Sequence, residues 1–433
     1  MPENRPELPR LEDSYCGPLL EIESHIVEHQ KEIETWFRQA WRRTPAPFYA
    51  SVDLRNAGFK LAPVDTNLFP AGFNNLNHDF DPLAIQAIQA AVEHACPDAE
   101  AMLIIPERHT RNLYYLESLA SLVHLVELAG FEVRVGTLEA IDSPATFELP
   151  SGRTLVQHPV RREGARLMAG DFSPCTVLLN NDLSGGRQEV LEGLEQAVIP
   201  PPALGWWNRS KHRHFSHYSE LARDFCDVID IDPWRITPMM ADCGEIDFLK
   251  REGEDCLAER VGVLLESISE KYREHGIDRE PFVVIKADAG TYGMGVMVAR
   301  SADEVVGLNR KQRTRMSASK EGLGIRRVLI QEGVHSFETV GQDAKVAEPV
   351  LYMVDHYVIG GFYRVHTEKG INENLNAPGA QFVPLPFTES CITPDVNISP
   401  DADPNRLYTY GVVARLALLA AAREQAQMQE MPT

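Results

Sequence analysis

The segment from Phe282 to Arg300 constrains the fold of this chain most, because it places three glycines between two apolar runs. Each run has the composition of a strand, so the segment predicts a strand, a glycine-rich loop and a returning strand. Gly290, Gly293 and Gly295 follow the order G-x-x-G-x-G, whereas a dinucleotide-binding turn reads G-x-G-x-x-G and opens a helix. A Walker loop ends in Gly-Lys-Ser or Gly-Lys-Thr, but Lys286 precedes the glycines. The pattern therefore predicts a different device, a glycine hairpin that can close over nucleotide phosphates.

The overall charge disfavours nucleic acid as a partner. The chain holds 42 Lys plus Arg against 63 Asp plus Glu, a net charge of -21, and such a protein repels a phosphate backbone. The N-terminus has no apolar core of signal-peptide length, and no apolar run reaches the roughly 18 residues of a membrane span. Seven cysteines without a C-x-x-C pair favour reduced thiols. We therefore expect a cytoplasmic protein that acts on small molecules and contacts no membrane.

Length and element order predict an α/β protein of two domains. With 433 residues and 44% hydrophobic content, the chain can form more than one core. A strand from Ala101, a helical stretch to Ala129 and a second strand predict a β-α-β unit, and another strand is predicted at 176–179. The prolines at 200–202 mark the clearest boundary. We therefore expect an N-terminal α/β domain, 1–200, with substrate contacts and candidate metal contacts, and a C-terminal nucleotide-binding domain, 201–433, of antiparallel sheet and helices.

The C-terminal half shows local signals for hairpins and short helices. Ser301 and Glu304 have the spacing of a capping box, which predicts a short helix after the glycine hairpin. Gly360 and Gly361 are a two-residue turn signal, and this turn would place Arg364 on the returning strand of a hairpin. The patterns predict helices at about 216–227, 254–275 and 407–425, and strands at 282–287, 295–299, 328–334, 348–354 and 357–366.

Three sequence features of the C-terminal half occur in the order found in the ATP-grasp fold. Lys286 lies on a strand, the glycine hairpin follows it, and the run VLIQEGV comes further along the chain. The chain thus resembles the ATP-grasp superfamily, in which the strand lysine contacts the α- and β-phosphates, the hairpin covers them and a hinge strand bonds the adenine edge. The resemblance implies an ATP-grasp-like fold and places Glu332 near the adenine or ribose. The residues that it assigns to ATP in this region are Lys286, Gly290, Gly293, Gly295, Gln331, Glu332 and Val334.

Two further cations fit the same resemblance. Lys211, in GWWNRSKHRHF, matches an earlier ATP-contacting lysine, and Arg364 matches an arginine for the transferred phosphate. A triphosphate and a phosphoryl group in transfer must be neutralised by cations and bound Mg²⁺. Lys286 and Arg364 are therefore expected to be the catalytic residues, which stabilise an acyl phosphate and the tetrahedral states.

Asp65 and Asn67 have the acidic-x-Asn form with which ATP-grasp ligases hold magnesium through hard oxygen ligands. Their position ahead of the lysines resembles the circularly permuted arrangement of eukaryotic glutathione synthetases. Asp395 and Asn397 repeat the spacing where unpermuted ligases carry it. The sequence alone leaves both pairs open, and we prefer the first. Asp288, at the entrance of the glycine loop, is a further candidate metal ligand.

Arg55, Asn56 and Lys60 lie just ahead of the first acidic-x-Asn pair. Together they offer the mixed charges and hydrogen-bonding groups that an amino-acid zwitterion requires. We therefore predict that they contact the substrate.

Three longer segments resemble one bacterial type of glutamate-cysteine ligase (γ-glutamylcysteine synthetase): VDLRNAGFKLAPVDTNLFPAGFNN, IKADAGTYGMGV and GGFYRVHTEKGINENLNAPGA. The similarity extends over nearly the whole chain. It implies that ATP phosphorylates the γ-carboxylate of glutamate and that the amine of cysteine attacks the acyl phosphate, giving γ-glutamylcysteine, ADP and phosphate in the first step of glutathione synthesis. Glutathione synthetase or another carboxylate-amine ligase stays open as an alternative, as does a nucleotide-binding regulatory protein without turnover. Ligases of this size often form dimers or tetramers, but the sequence does not fix the number of subunits.

Overall fold

Helices and strands alternate through the chain in the computed structural model, which describes residues 21–78, 81–108, 112–290, 295–317, 324–340, 345–377, 379–385 and 406–430. The mixed α/β class predicted from the sequence is confirmed. The helices are α1 (Glu21–Glu28), α2 (Gln30–Trp41), α3 (Asp81–Ala95), α4 (Leu113–Leu128), α5 (Lys211–Ile229), α6 (Glu254–Glu274), α7 (Ala302–Val306), α8 (Arg310–Ser317) and α9 (Arg406–Glu430). The strands are β1 (Tyr49–Asn56), β2 (Leu61–Asn67), β3 (Ala101–Pro106), β4 (Glu132–Thr137), β5 (Ala145–Glu148), β6 (Thr154–Glu163), β7 (Arg166–Ala169), β8 (Thr176–Asn180), β9 (Ala197–Ile199), β10 (Met240–Glu245), β11 (Val283–Ala287), β12 (Val296–Ala299), β13 (Arg327–Glu332), β14 (Thr339–Val340), β15 (Lys345–Val354), β16 (Tyr357–His366) and β17 (Gln381–Pro384). Among these helices, none is both long enough and apolar enough to cross a membrane.

A mostly parallel sheet occupies the middle of the N-terminal half, with strand order β5-β6-β4-β3-β8-β9 and β7 beside β6. The central strands β3 and β8 are almost fully buried and nearly continuously apolar, as strands covered on both faces must be. The predicted β-α-β unit is confirmed as β3, α4 and β4. Successive strands lead from β3 to β4 on one side, and the chain then returns to β8 on the other side of β3. The carboxyl ends of β3 and β8 therefore form a topological switch point.

Two antiparallel sheets make up the rest of the strands. A four-stranded sheet has the order β10-β13-β11-β12, and a larger sheet has the order β17-β16-β15-β1-β2 with β14 beside β15. The N-terminal strand β1 pairs with β15, so that Asp53 lies opposite Val350. This sheet thus takes strands from both sides of residue 200, and the division into two domains at that boundary stays a prediction.

The C-terminal helix α9 lies inside the protein. From Leu407 to Ala422 its apolar side chains are almost completely buried around the whole circumference, which is typical of a helix enclosed by other elements. It packs on α5 and also contacts β1 and β2. The predicted C-terminal helix is confirmed, and it forms the centre of the largest hydrophobic core.

The predicted turn at Gly360 and Gly361 is wrong. Both glycines lie inside β16, and the chain turns between β15 and β16 near Asp355, which has a φ of 50°. A Cβ atom on Gly361 would lie 2.3 Å from the carbonyl oxygen of Val350, so close approach of the strands, not a turn, accounts for this glycine. Arg364 nevertheless lies on the returning strand.

A buried ion cluster fixes α9 to α5 and β2. Arg209 donates from Nε to Glu424 Oε2 at 3.0 Å and from Nη1 to the carbonyl of Thr66 at 2.7 Å. His214 also bonds to Glu424, and its Nε2 lies 2.9 Å from Thr66 Oγ1. Burial favours the neutral form of Glu424, yet Arg209 and His214 together lower the pKa of this carboxyl to about 2. The cluster thus holds a charged carboxylate in the interior.

We expect Glu424→Gln to lower the free energy of unfolding at pH 7 by about 3–5 kcal/mol, because it leaves Arg209 buried without its counter-charge. The folded pKa is about 2 and the ordinary value is 4.5, so the stabilisation is complete above pH 4.5 and is lost as the pH falls toward 2. Urea unfolding at pH 7 and pH 3 measures both effects. Arg423→Gln, at a partly exposed neighbouring position, is the control and should change stability by no more than about 0.5 kcal/mol. Equal stability of Glu424→Gln and the wild type at pH 7 would contradict this account.

Candidate active site

The two antiparallel sheets line a narrow cleft of about 90 Å³. On the four-stranded sheet, Val284 and Lys286 alternate with buried neighbours along β11, and Gln331 of β13 pairs with Val284. Val296 and Val298 of β12 pair with Lys286 and Val284 and extend the same face. Because side chains two residues apart share one face of a strand, this wall combines an apolar surface with one cation and one amide.

The opposite wall carries a row of buried charges. Arg364 on β16 donates from Nη1 to Asp53 Oδ2 at 2.8 Å and to Glu348 Oε1 at 2.6 Å. Arg55 on β1 donates from Nε to Glu348 Oε2 at 3.0 Å. Burial alone would lower the pKa of Arg364, but Asp53 and Glu348 raise it above its ordinary value. The alternating charges hold each guanidinium in one orientation on the cleft.

The side chain of Lys286 extends from the four-stranded sheet toward the larger sheet. It is only 7% exposed, and its Nζ donates to the carbonyl of Val64 at 2.5 Å and to Gln331 Oε1 at 2.7 Å. Burial lowers the pKa of Lys286 to about 7, although the nearby Asp65 carboxylate opposes this shift. An arriving anion would favour the charged form of this lysine further.

Lys211, the first residue of α5, lies on the other side of Asp65. Its Nζ pairs with Asp65 Oδ1 at 2.5 Å, and its ring neighbour is Trp206, whose centroid is 4.5 Å from Nζ. Burial would raise the pKa of Asp65, but Lys211 and Lys286 lower it below its ordinary value. The structure therefore brings both predicted phosphate-binding lysines to a single carboxylate.

Two buried donors in the cleft have no partner among the described residues: Gln331 Nε2 and Arg364 Nε. A buried donor without an acceptor costs about 1–3 kcal/mol. Since both atoms belong to side chains that line the cleft, a ligand rich in acceptor oxygens would satisfy them.

The glycine hairpin lies at the end of β11, as predicted. Gly290 and Gly295 have φ values of 104° and 61°, which favour glycine. A Cβ atom on Gly295 would also lie 2.4 Å from Ile325 Cδ1. Gly293 lies outside the described residues. The predicted strands on both sides of the hairpin are present as β11 and β12, and the predicted capping box is confirmed because Ser301 Oγ accepts from the Glu304 N–H at 3.3 Å.

Two of the candidate metal ligands, Asp65 and Asp288, contact the start of α5. Asp65 binds the Lys211 side chain, while Asp288 accepts from the backbone N–H of Lys211 through its carbonyl at 2.7 Å and from the N–H of His212 through Oδ1 at 2.8 Å. Asn67 Oδ1 accepts from a backbone N–H two residues on at 3.0 Å. The Oδ2 atoms of both aspartates accept no hydrogen bond from the described part of the chain. The second pair predicted from sequence, at 395 and 397, lies outside the described residues.

Three of the predicted site residues, Lys60, Glu332 and Asn56, form hydrogen bonds or ion pairs with other buried side chains. Lys60, 1% exposed, pairs through Nζ with Glu332 Oε2 at 2.7 Å, and Glu332 Oε1 accepts from Trp234 Nε1 at 3.1 Å. Asn56 Nδ2 donates to Glu23 Oε1 at 3.3 Å. Glu332 lines the cleft, but Asn56 and Lys60 are not among its described lining residues. Their substrate contact stays a prediction.

Two other predicted site residues do line the cleft, namely Arg55 and Val334. The carbonyl of Val334 accepts a hydrogen bond from Arg55 Nη1 at 3.2 Å.

We expect Lys60→Met to lower the free energy of unfolding by about 3–5 kcal/mol, because Glu332 would remain buried without its cation. Urea unfolding measures this loss, and the Michaelis constant for the amino-acid substrate, measured on the folded fraction, should stay within a factor of two. A variant of normal stability that binds its substrate more weakly would instead support the contact predicted from sequence.

Asp53 and three of the cleft valines, Val284, Val296 and Val298, escape the sequence-based prediction. A signal for Asp53 exists, because it and Arg55 are alternate residues in an otherwise apolar strand, SVDLRN, and therefore share one face. The valines carry no such signal, because apolar residues on a strand more often face a core. Their role becomes visible only when the two sheets are placed together.

The cleft combines buried cations with two buried donors that have no acceptor among the described residues, an arrangement suited to an anionic small molecule. The family model GshA, glutamate-cysteine ligase, matches residues 23–425. The chain therefore belongs to the glutamate-cysteine ligase family, as predicted. It is an ATP-using ligase of small molecules, with glutamate-cysteine ligase activity, the first step of glutathione synthesis.

The solved structures to which the chain is similar range from 54% to 10% sequence identity. The chain is 54% identical, with a TM-score of 0.87, to a protein named "Putative gamma-glutamylcysteine synthetase" from Methylobacillus flagellatus KT, over 98% of this chain and 99% of that one. A glutathione synthetase-like effector (GSS30) from Globodera pallida is 10% identical with a TM-score of 0.39, over 81% of each chain. D-alanyl-alanine synthetase A from Vibrio cholerae O1 biovar eltor is 12% identical with a TM-score of 0.33, over 75% of this chain and 81% of that one. A comparison with curated proteins gave no match.

Proposed function

We propose that the cleft binds ATP in an ATP-grasp-like manner and that glutamate is activated beside it as γ-glutamyl phosphate. The observation that carries this proposal is the pair of buried donors without partners, Gln331 Nε2 and Arg364 Nε, next to the buried cation of Lys286. A triphosphate supplies the many acceptor oxygens and the negative charge that these groups require.

The two walls suggest how the nucleotide lies. Val284, Val296 and Val298 offer an apolar surface to a planar base, and the segment 331–334 offers backbone groups to its edge. Lys286 and Lys211 then reach the phosphates, which the glycine hairpin covers. At about 90 Å³ the cleft is much smaller than the roughly 300 Å³ of the smallest ordinary ligand pockets. Nucleotide binding therefore requires the two walls to separate, a motion common in enzymes that exclude water.

We propose that Asp65, Asn67 and Asp288 hold Mg²⁺. Their oxygen atoms are the ligands that Mg²⁺ prefers, and two carboxylate oxygens carry no hydrogen bond from described residues. The depressed pKa of Asp65 keeps this ligand anionic at neutral pH. When bound, the ion supplies positive charge that neutralises phosphate oxygens.

The chemistry then needs positioning and charge stabilisation but no nucleophilic side chain. The γ-phosphoryl group moves from ATP to an oxygen of the glutamate γ-carboxylate, and ADP leaves. The amine of cysteine forms a bond to the acyl carbon, the bond from that carbon to the phosphate oxygen breaks, and phosphate leaves. Arg364, oriented by Asp53 and Glu348, is placed to neutralise the phosphoryl oxygens in transfer, and Lys286 neutralises the phosphates behind them.

ADP release by the purified protein with Mg²⁺ and ATP tests this function. We expect turnover only when glutamate and cysteine are both present, with γ-glutamylcysteine identified by mass. Glutamate labelled with ¹⁸O in its γ-carboxylate should transfer one labelled oxygen to the released phosphate, as an acyl phosphate requires. Turnover only with γ-glutamylcysteine and glycine would instead indicate glutathione synthesis, and unlabelled phosphate would exclude the acyl phosphate.

The net charge of the chain and its cysteines support a proposal about its compartment and its partners. The net charge of -21 disfavours nucleic acid, and the cysteines of the described residues are unpaired, namely Cys96, Cys175, Cys226, Cys243 and Cys256. We propose that the enzyme works in the reducing cytoplasm on its three small-molecule substrates. Size-exclusion chromatography with light scattering measures the number of its subunits.

A further inference from the structure

We propose that a second cavity beside the cleft is the binding site of glutamate, the dicarboxylic substrate; this assignment rests on the proposed function. The cavity has a volume of about 540 Å³ and lies between the loop after β8, the segment that leads into α5, and the ends of β11 and β13 that lie near the glycine hairpin. This volume is within the range of about 300–1,000 Å³ for small-molecule sites.

The cavity adjoins the predicted phosphate site. Lys286 lines the cleft, while Ala287 and Asp288, the next residues of the chain, line the cavity. In the same way Lys211 pairs with Asp65 of the cleft, and Arg213 lines the cavity. Lys211 Nζ also lies 4.5 Å from the ring centroid of Trp206, which lines the cavity, so a molecule in the cavity lies beside this lysine, where a phosphoryl acceptor must be.

Unpaired positive charge distinguishes this cavity. Arg213, Arg326 and Arg327 line it, and within the described part of the chain their side chains have no ion-pair or hydrogen-bond partner. Arg209 also lines the cavity, but its guanidinium is already bound to Glu424. Three unpaired guanidinium groups at one cavity, in a chain with a net charge of -21, favour an anionic ligand.

The charges match glutamate better than cysteine. Glutamate carries two carboxylates and one ammonium at neutral pH, whereas cysteine carries one carboxylate. Guanidinium groups bind carboxylates in a bidentate geometry, which suits a ligand that carries two carboxylates. The α-carboxylate would lie at the arginines, and the γ-carboxylate would point toward Lys211 and the cleft.

The position in the fold supports a ligand site independently. Ser184 and Gly186, which line the cavity, follow the carboxyl end of β8, where the parallel sheet has its topological switch point between β3 and β8. Ligands of open α/β sheets bind in the crevice at such a point.

Steady-state kinetics on Arg213→Gln and Arg326→Gln test the assignment. Each variant should raise the Michaelis constant for glutamate about tenfold or more, since it removes a charge-assisted hydrogen bond. The constants for ATP and cysteine should stay within a factor of two. Arg223→Gln, at an exposed position of the same helix α5 that does not line the cavity, is the matched control and should behave as the wild type.

Calorimetric titration of glutamate into the enzyme saturated with a non-hydrolysable ATP analogue gives a readout independent of turnover. Loss of glutamate affinity in both arginine variants, with the analogue still bound, supports the site. Unchanged glutamate affinity in both variants, or a larger effect on ATP or cysteine, overturns it. A wild-type enzyme that does not join glutamate and cysteine would contradict the proposed function, and this result is distinct from the outcomes for the glutamate site.

Discussion

Lys286→Met should abolish ligation and leave the protein folded. The lysine cation contacts both walls of the cleft, and among the described residues that line the cleft it is the one cation on the four-stranded sheet. We expect kcat/KM for ADP formation to fall by about 10²–10³-fold or more, the loss typical of removing one preorganised charge from a phosphoryl-transfer or oxyanion site. ATP affinity, measured by calorimetry, should weaken as well.

The same substitution should not destabilise the ligand-free protein. Burial lowers the folded pKa of Lys286 to about 7 from 10.5, so the unfolded chain holds more protons between these values. Stability therefore rises with pH through this window in the wild type, and it should not do so in the variant. Lys250→Met, at an exposed lysine, is the control for both activity and stability. Activity of Lys286→Met near that of the wild type would remove Lys286 from the mechanism.

Arg364→Lys should lower kcat by about 10²-fold with a smaller change in the Michaelis constant for ATP, because the lost interaction is made in the transition state. A lysine keeps the charge, but its single Nζ cannot bond Asp53 and Glu348 and also offer the unpaired Nε donor to a ligand. Single-turnover formation of ADP measures the chemical step directly.

The matched control for this variant is Arg415→Lys. Arg415 is also a buried arginine with a bidentate carboxylate partner, Glu34, at 2.9 and 2.7 Å, but it does not line the cleft. It should lose stability and keep kcat on the folded fraction. If both variants lose activity in proportion to their stability, Arg364 has a structural role only.

Local patterns allowed much of the fold to be predicted, because they report on short stretches of chain. The β-α-β unit, the strands around the glycine hairpin and helix α9 each carry their own periodicity or capping signal. Gly360 and Gly361 misled the prediction because a glycine that permits close approach of two strands looks the same in sequence as a glycine in a turn. The pairing of β1 with β15 leaves no local pattern at all.

The same limit applies to the candidate site. Lys286 could be predicted, because a strand lysine before a glycine hairpin is a local motif. Its partner Gln331 was placed by family resemblance, while Asp53 and the valines required two sheets to be brought together. The burial of Lys60 and its contact with Glu332 likewise leave no mark in the sequence.

The strand pairing between the two ends of the chain has a consequence for biosynthesis. β1 begins at Tyr49, but its neighbour β15 and the arginine strand β16 extend to His366. At translation rates of roughly 5–20 residues per second, β1 waits roughly 15–60 s for its partners. During that time its edge groups are open to pairing with other chains. The cleft thus forms late on the ribosome, and shielding of this waiting hairpin bears on how much enzyme a cell obtains from each message.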